Sequence, residues 1–147
     1  MKILVVDVGG THVKMRLSGQ QRVRTFPSGP ALTAQQMVAG VRTAIQGSKY
    51  DVVSIGYPGP VIRGALSEEP KRLGVGWVRF DFKKAFGCPV ALINDAAMQA
   101  LGGYEGGRML FLGLGTGLGS ALIADNVIMP MELAHLPYKK DGTLEDY

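Results

Sequence analysis

Two glycine-rich turns, one near each end of the chain, restrict its fold more than any other feature. Asp7-Val8-Gly9-Gly10-Thr11 follows the apolar run Ile3–Val6, and Gly113-Leu114-Gly115-Thr116-Gly117-Leu118-Gly119-Ser120 follows Met109–Leu112. Each turn leaves one strand-like segment and enters another, so both read as turns within a sheet. Glycine also leaves backbone N–H groups unobstructed, and a turn of that kind can cradle phosphate oxygens. Two such turns in one small domain point to a polyphosphorylated ligand gripped from two sides. For either turn alone the competing reading is a plain hairpin, in which glycine supplies a positive φ. A dinucleotide-binding glycine motif should open a helix. Here Ser120–Ala124 is short and apolar and runs into Asp125-Asn126, a turn leading to Val127-Ile128. No Gly-Lys-Ser/Thr follows either turn, which excludes a Walker loop.

The segments between the turns alternate in type. Lys2–Val8 is a buried-strand pattern, Val13–Leu17 alternates as a half-buried strand does, and Arg22–Phe26 is a third strand. Thr33 stands as an N-cap before Met37, Val38, Val41 and Ile45 at helical spacing, with Gly47 closing the helix. Asp51–Gly56 is another strand, ended by the rigid turn Tyr57-Pro58-Gly59-Pro60, and residues 61–76 read as irregular. A short helix over Phe80–Phe86, a strand over Pro89–Ile93 and a helix over Asp95–Leu101 follow. Met109–Leu112 and Ala121–Ile128 are expected to complete the sheet, and Met131–Leu136 to form a short helical turn. An antiparallel opening meander followed by strand–helix alternation implies an α/β fold with a mixed sheet and flanking helices. Residues 1–136 are expected to form one lobe, with 137–147 polar and reading as a tail or the start of a second lobe.

Bulk properties narrow the function classes. The chain has 147 residues, 46% of them hydrophobic, enough for one well-buried domain. No apolar stretch has membrane-spanning length and the N-terminus lacks a signal-peptide layout, so a cytoplasmic protein without a membrane partner is expected. The single cysteine, Cys88, is expected to be a buried structural thiol. The net charge of +4 is spread over scattered lysines and arginines, without the basic stripe and interleaved aromatics of a nucleic-acid binder.

The chemistry-bearing residues lie between the turns. Asn94-Asp95 falls where a strand ends and a helix begins, the position at which open sheets bind ligands. Simple helix capping is one reading of that pair. The other makes Asp95 a general base taking the proton of a hydroxyl that attacks a phosphoryl group. Alignment matters more there than basicity. Glu132 and His135 share one face if Met131–Leu136 is helical, and could bond neighbouring sugar hydroxyls or pair with each other on the surface. His12 is expected to be structural or solvent-facing.

Taken in order, Asp7–Lys14, Gly56–Pro60, Asn94-Asp95-Ala96, Gly113–Ser120, Glu132–His135 and Gly142–Glu145 resemble the ROK family of sugar kinases, within the actin, hexokinase and Hsp70 superfamily. The resemblance spans the whole chain, and Trp77–Tyr147 looks most similar to the branch containing polyphosphate glucokinases. It implies a ribonuclease H-like, actin-like lobe that phosphorylates the 6-hydroxyl of a hexose, glucose first, from ATP or inorganic polyphosphate with Mg²⁺. By resemblance, Asp7 acts near Mg²⁺, while Gly9, Gly10, Thr11 and Lys14 belong to the first phosphate loop. Gly115, Thr116 and Gly117 match the second phosphate loop. Asp95 matches the catalytic base, and Gly59, Asn94, Glu132, His135 and Glu145 match the sugar site. Arg72 stands where the family often has asparagine, and Ala134 where it commonly has glycine. The cysteine-rich zinc motif of many members is absent, so no zinc is expected.

Family kinases continue past the position of Tyr147 into a second lobe, so a missing C-terminal lobe or a homodimer is expected. Three further functions compete: a non-catalytic sugar- or phosphate-binding half-protein, a transcription regulator of the same family, and a polyphosphatase. The regulators carry an N-terminal helix-turn-helix, whereas this sequence opens at its first strand. Glu132, His135 and Glu145 favour a sugar acceptor over water.

Overall fold

The computed structural model describes residues 1–115 and 117–146, with Glu145 described by its backbone alone. The chain divides into two compact units, Met1–Asp95 and the remainder from Ala96.

The first unit opens as a meander, β1 (Ile3–Val8), β2 (His12–Leu17) and β3 (Arg24–Pro27). Helix α1 (Ala34–Ala44) leads to β4 (Val52–Tyr57), a small hairpin of β5 (Val61–Ile62) and β6 (Ala65–Leu66), the short helix α2 (Phe82–Phe86) and β7 (Val90–Asn94). Five of these strands form one mixed sheet in the order β3-β2-β1-β4-β7. β1 is antiparallel to β2 and parallel to β4, and β4 is parallel to β7. The register sets Asp7 opposite Lys14 on one side and Gly56 on the other, with Ile93 opposite Gly56 in turn.

Period-two patterning decides which face is covered. Leu4, Val6 and Val8 of β1, Val13, Met15 and Leu17 of β2, and Val53, Ile55 and Tyr57 of β4 are buried in one core with Met37, Val38, Val41 and Ile45 from α1 and its end. Their alternates Asp7 and Lys14 lie on the opposite face. α1 starts where the sequence predicts. Thr33 Oγ1 accepts from the Gln36 N–H (3.3 Å) and the Gln36 side chain accepts from the Thr33 N–H (2.9 Å), a complete capping box.

The segment read as irregular, residues 61–76, holds only the short β5–β6 hairpin as regular structure, and it is well pinned. Arg63 and Gly64 both take positive φ and close the β5–β6 hairpin, whose strands of two residues are too short to leave a period in the sequence. Tyr57 and Trp77 are fully buried, with ring centroids 5.7 Å apart. The Tyr57 hydroxyl donates to the Glu68 carbonyl at 2.7 Å, and Trp77 Nε1 donates to the Leu32 carbonyl at 3.2 Å. Both carboxylate oxygens of Glu69 are occupied, accepting from the backbone N–H groups of Trp77 (3.0 Å) and Val78 (3.1 Å).

The rest comprises helix α3 (Asp95–Gly102), then β8 (Met109–Leu114), β9 (Leu118–Ala124) and β10 (Val127–Met131), with a 3-10 turn over Leu133–His135. It closes with β11 (Pro137–Tyr138), β12 (Gly142–Thr143) and a second 3-10 turn over Leu144–Asp146. β8, β9 and β10 do not complete the first sheet. They form an antiparallel sheet of their own, in the order β10-β9-β8. Asp125 and Asn126, at φ 51° and 62°, make the two-residue β9–β10 turn the sequence anticipates. No helix among the described residues is long and apolar enough to cross a membrane. Cys88 is half-buried instead of buried, and desolvation raises its thiol pKa, with Asp51 adding to the rise.

Candidate active site

Because β1, β4 and β7 run parallel, their carboxyl ends lie together, and the first unit's chemistry-bearing residues follow from that. Asp7 precedes the last residue of β1, Gly59 lies just past β4, and Asn94 closes β7 directly before Asp95 opens α3. Adjacent strands are about 4.8 Å apart, so Asp7 and Ile93, two strands apart, are separated by about 10 Å along the sheet edge.

Asn94 is buried, and its Nδ2 donates to the Gly59 carbonyl at 3.3 Å, tying the loop after β4 to the end of β7. Asp95 is half-buried in the first turn of α3, where the helix dipole favours a carboxylate. Asp7 is half-buried, and desolvation raises its carboxyl pKa while Lys14, facing it across the ladder, opposes the rise. A single carboxylate beside a phosphate site is a common donor set for Mg²⁺, which takes most of its ligands from water and phosphate oxygens. Asp7 fits that role. Among the described residues no three His, Cys, Asp or Glu side chains are grouped to hold a metal ion.

The first glycine turn owes its glycine to close approach, since neither Gly9 nor Gly10 has a positive φ. A Cβ on Gly9 would meet the His12 carbonyl oxygen at 2.9 Å, and the Gly9 N–H donates to that same oxygen at 3.0 Å. Ser28 braces the turn from outside, its Oγ donating to the Gly9 carbonyl (2.6 Å) and its N–H to the Thr11 carbonyl (2.9 Å). That leaves the N–H groups of Gly10 and Thr11 without an acceptor among the described residues. His12 is exposed, as expected.

One neighbour of this turn escapes sequence reasoning. A Cβ on Gly10 would lie 3.6 Å from Arg72 Cβ and 3.7 Å from Arg72 Cδ, so the arginine stem rests on the glycine. The two residues are far apart in sequence, and no local pattern links them.

In the second unit, Gly115 and Gly117 lie in the turn between β8 and β9, where the Gly115 N–H donates to the Gly117 carbonyl at 3.1 Å. Thr116 lies outside the described residues. Glu132 Oε2 and His135 Nε2 are 3.7 Å apart with both side chains about half exposed, the surface pairing that is one of the two readings of the sequence. Ser120 holds that segment in place. Its buried Oγ donates to the Met131 carbonyl (3.1 Å) and accepts from the Leu133 N–H (3.2 Å). Glu145 falls in the second 3-10 turn, and its side chain lies outside what the structure describes.

A mixed five-stranded sheet opened by an antiparallel meander, with a glycine turn after its first strand and acidic residues at the carboxyl ends of its parallel strands, defines an actin-like, ribonuclease H-like α/β protein. The model of the ROK family matches residues 3–130, and the chain belongs to that family. Its fold is similar to that of an inorganic polyphosphate/ATP-glucomannokinase from Arthrobacter sp. strain KM. The TM-score is 0.82 and the identity 23%, over 99% of this chain and 67% of that one. A ROK family glucokinase from Streptomyces griseus, solved with glucose and AMPPNP, is similar at TM-score 0.79 and 22% identity, over 100% of this chain and 57% of that one. By sequence, 110 residues are 36% identical to a D-alanine–D-alanine ligase of Kineococcus radiotolerans, which takes in 73% of this chain and 26% of the ligase. The chain thus spans about a quarter of that curated relative and just over half of the glucokinase.

Proposed function

We propose that the chain is the phosphoryl-transfer portion of a hexose kinase, carrying a phosphoryl group from ATP or inorganic polyphosphate to the 6-hydroxyl of glucose. The observation that carries this reading is the Asn94–Asp95 junction, with Asn94 tied to Gly59 at the same sheet end as Asp7 and the first glycine turn. In the proposed reaction the sugar O6 forms a bond to the terminal phosphorus, the bond from that phosphorus to the donor's bridging oxygen breaks, and the hydroxyl proton passes to Asp95. Asn94 and Gly59 position the sugar, with Glu132, His135 and Glu145 as further hydroxyl partners. Gly9, Gly10, Thr11 and Lys14 serve one phosphate loop, and Gly115, Thr116 and Gly117 the other. Asp7 would hold Mg²⁺, which supplies charge neutralisation for the phosphates when bound. Membership of a family whose solved relatives include a glucokinase and a glucomannokinase supports the reading. A cytoplasmic setting belongs to the same proposal.

The alternative is a non-catalytic sugar- or phosphate-binding half-protein that needs a second lobe or partner chain for turnover. One assay separates the two: glucose 6-phosphate formation with Mg²⁺, offering ATP and polyphosphate separately, across a range of protein concentrations. Turnover that Asp95→Asn reduces by at least about 10²-fold supports the kinase reading. Full activity in that variant would remove Asp95 as the base. Glucose binding without turnover from either donor would favour the half-protein.

A further inference from the structure

We propose that Arg72 is an anion-binding residue of the first glycine turn, forming with the amides of Gly10 and Thr11 a seat for a terminal phosphoryl group of a polyphosphate chain. The inference rests on the phosphate reading of that turn and adds to it a residue that the turn's own sequence does not contain. Three observations carry it.

The first is the state of the turn's donors. The Gly9 amide is spent on the His12 carbonyl, whereas those of Gly10 and Thr11 have no acceptor among the described residues. Two adjacent amides in a bend, both unspent, are donors available to a phosphate oxygen. The second is the arginine's position. Its Cβ and Cδ lie in van der Waals contact with the place a Gly10 side chain would occupy. Its guanidinium carbon is only two bonds beyond Cδ, so the positive charge stays beside the turn. Guanidinium donors match phosphate oxygens in pairs, which a lysine ammonium cannot do.

The third observation is that Arg72 is held from both sides. Upstream, the Glu69 carboxylate is fixed by the amides of Trp77 and Val78. Downstream, Leu73 is buried and the Gly74 N–H donates to the Leu32 carbonyl at 3.0 Å. A side chain whose backbone is already ordered loses less freedom when it meets an anion.

The test is calorimetric titration of the purified chain with inorganic tripolyphosphate, and separately with ATP, using wild type, Arg72→Gln, Arg72→Lys and Lys71→Gln. Arg72→Gln keeps the apolar stem over Gly10, and residue 72 is exposed, so circular dichroism should show an unchanged fold. Saturable tripolyphosphate binding is expected for wild type, weakened about ten-fold or more in Arg72→Gln. Arg72→Lys should regain part of that loss, and Lys71→Gln should bind like wild type. An equal loss of ATP binding in Arg72→Gln marks a seat shared by both donors; loss for tripolyphosphate alone assigns it to polyphosphate. Wild-type affinity in Arg72→Gln, or an equal loss in Lys71→Gln, overturns the role of Arg72 while leaving the phosphate turn standing. Absence of tripolyphosphate and ATP binding in wild type overturns both together.

Discussion

Asp7 sits under two opposing influences. Desolvation raises its pKa above the usual 3.8, and Lys14 across the ladder pulls it back. An acid with a raised folded-state pKa favours the folded state while protonated, and that contribution is lost as pH rises through the folded pKa. Asp7→Asn, which never ionises, is therefore expected to melt higher than wild type at pH 7. The difference should shrink as pH falls through the raised pKa and vanish below about 3.8, which thermal melting at a series of pH values would reveal. A melting difference independent of pH would show that desolvation of Asp7 is not its source. If Asp7 holds Mg²⁺ as proposed, the same substitution should also abolish Mg²⁺-dependent turnover. Asp7 and Asp95 are both legible in the sequence, because each stands at the end of an apolar strand run. Arg72 beside Gly10, and the bond from Asn94 to Gly59, are not: the first depends on how the 67–78 connection is pinned, the second on the parallel pairing of β4 and β7.

Individual elements are marked by their boundaries. Thr33 announces the start of α1, and the structure adds Gln36 to complete a capping box. Thr33→Ala should cost about 1 kcal/mol in thermal or denaturant unfolding; an unchanged stability would mean that tertiary packing alone sets the helix start. What no boundary signal reveals is which sheet a strand joins. β8, β9 and β10 read as good strands, and the sequence analysis added them to the first sheet, yet they pair only among themselves. Apolar alternation identifies a strand's faces and is silent about its lateral neighbours. The connection over residues 67–78 is similarly opaque, since its order comes from Glu69, Trp77 and a close approach at Gly74. A Cβ there would meet the Ala31 carbonyl carbon and oxygen at 3.0 Å, backbone atoms that cannot rotate aside. Gly74→Ala is expected to destabilise the fold by about 1–3 kcal/mol. If Arg72 acts as proposed, it should also weaken tripolyphosphate binding by displacing that residue from Gly10. Unfolding curves and the same calorimetric titration check the two effects separately.

At the scale of the whole chain, one pattern occurs twice. In each unit a strand runs into a glycine turn, returns antiparallel and turns back once more, as β1-β2-β3 and again as β8-β9-β10. The first meander is continued, because β4 pairs in parallel along the other edge of β1. The second stops at β8, whose outer edge has no strand partner among the described residues. Every side chain on β8 is apolar or absent, and Leu110, Leu112 and Leu114 are 53%, 50% and 87% exposed. Folded proteins ordinarily guard such an edge with a lysine, a proline or a bulge. In colloidal terms each molecule carries an adhesive strip, so light scattering from the 147-residue chain should climb with concentration, and faster as salt screens its net positive charge. Leu112→Lys should flatten that climb with little loss of melting temperature. Equal scattering from the two proteins would mean that the strip is already covered in solution.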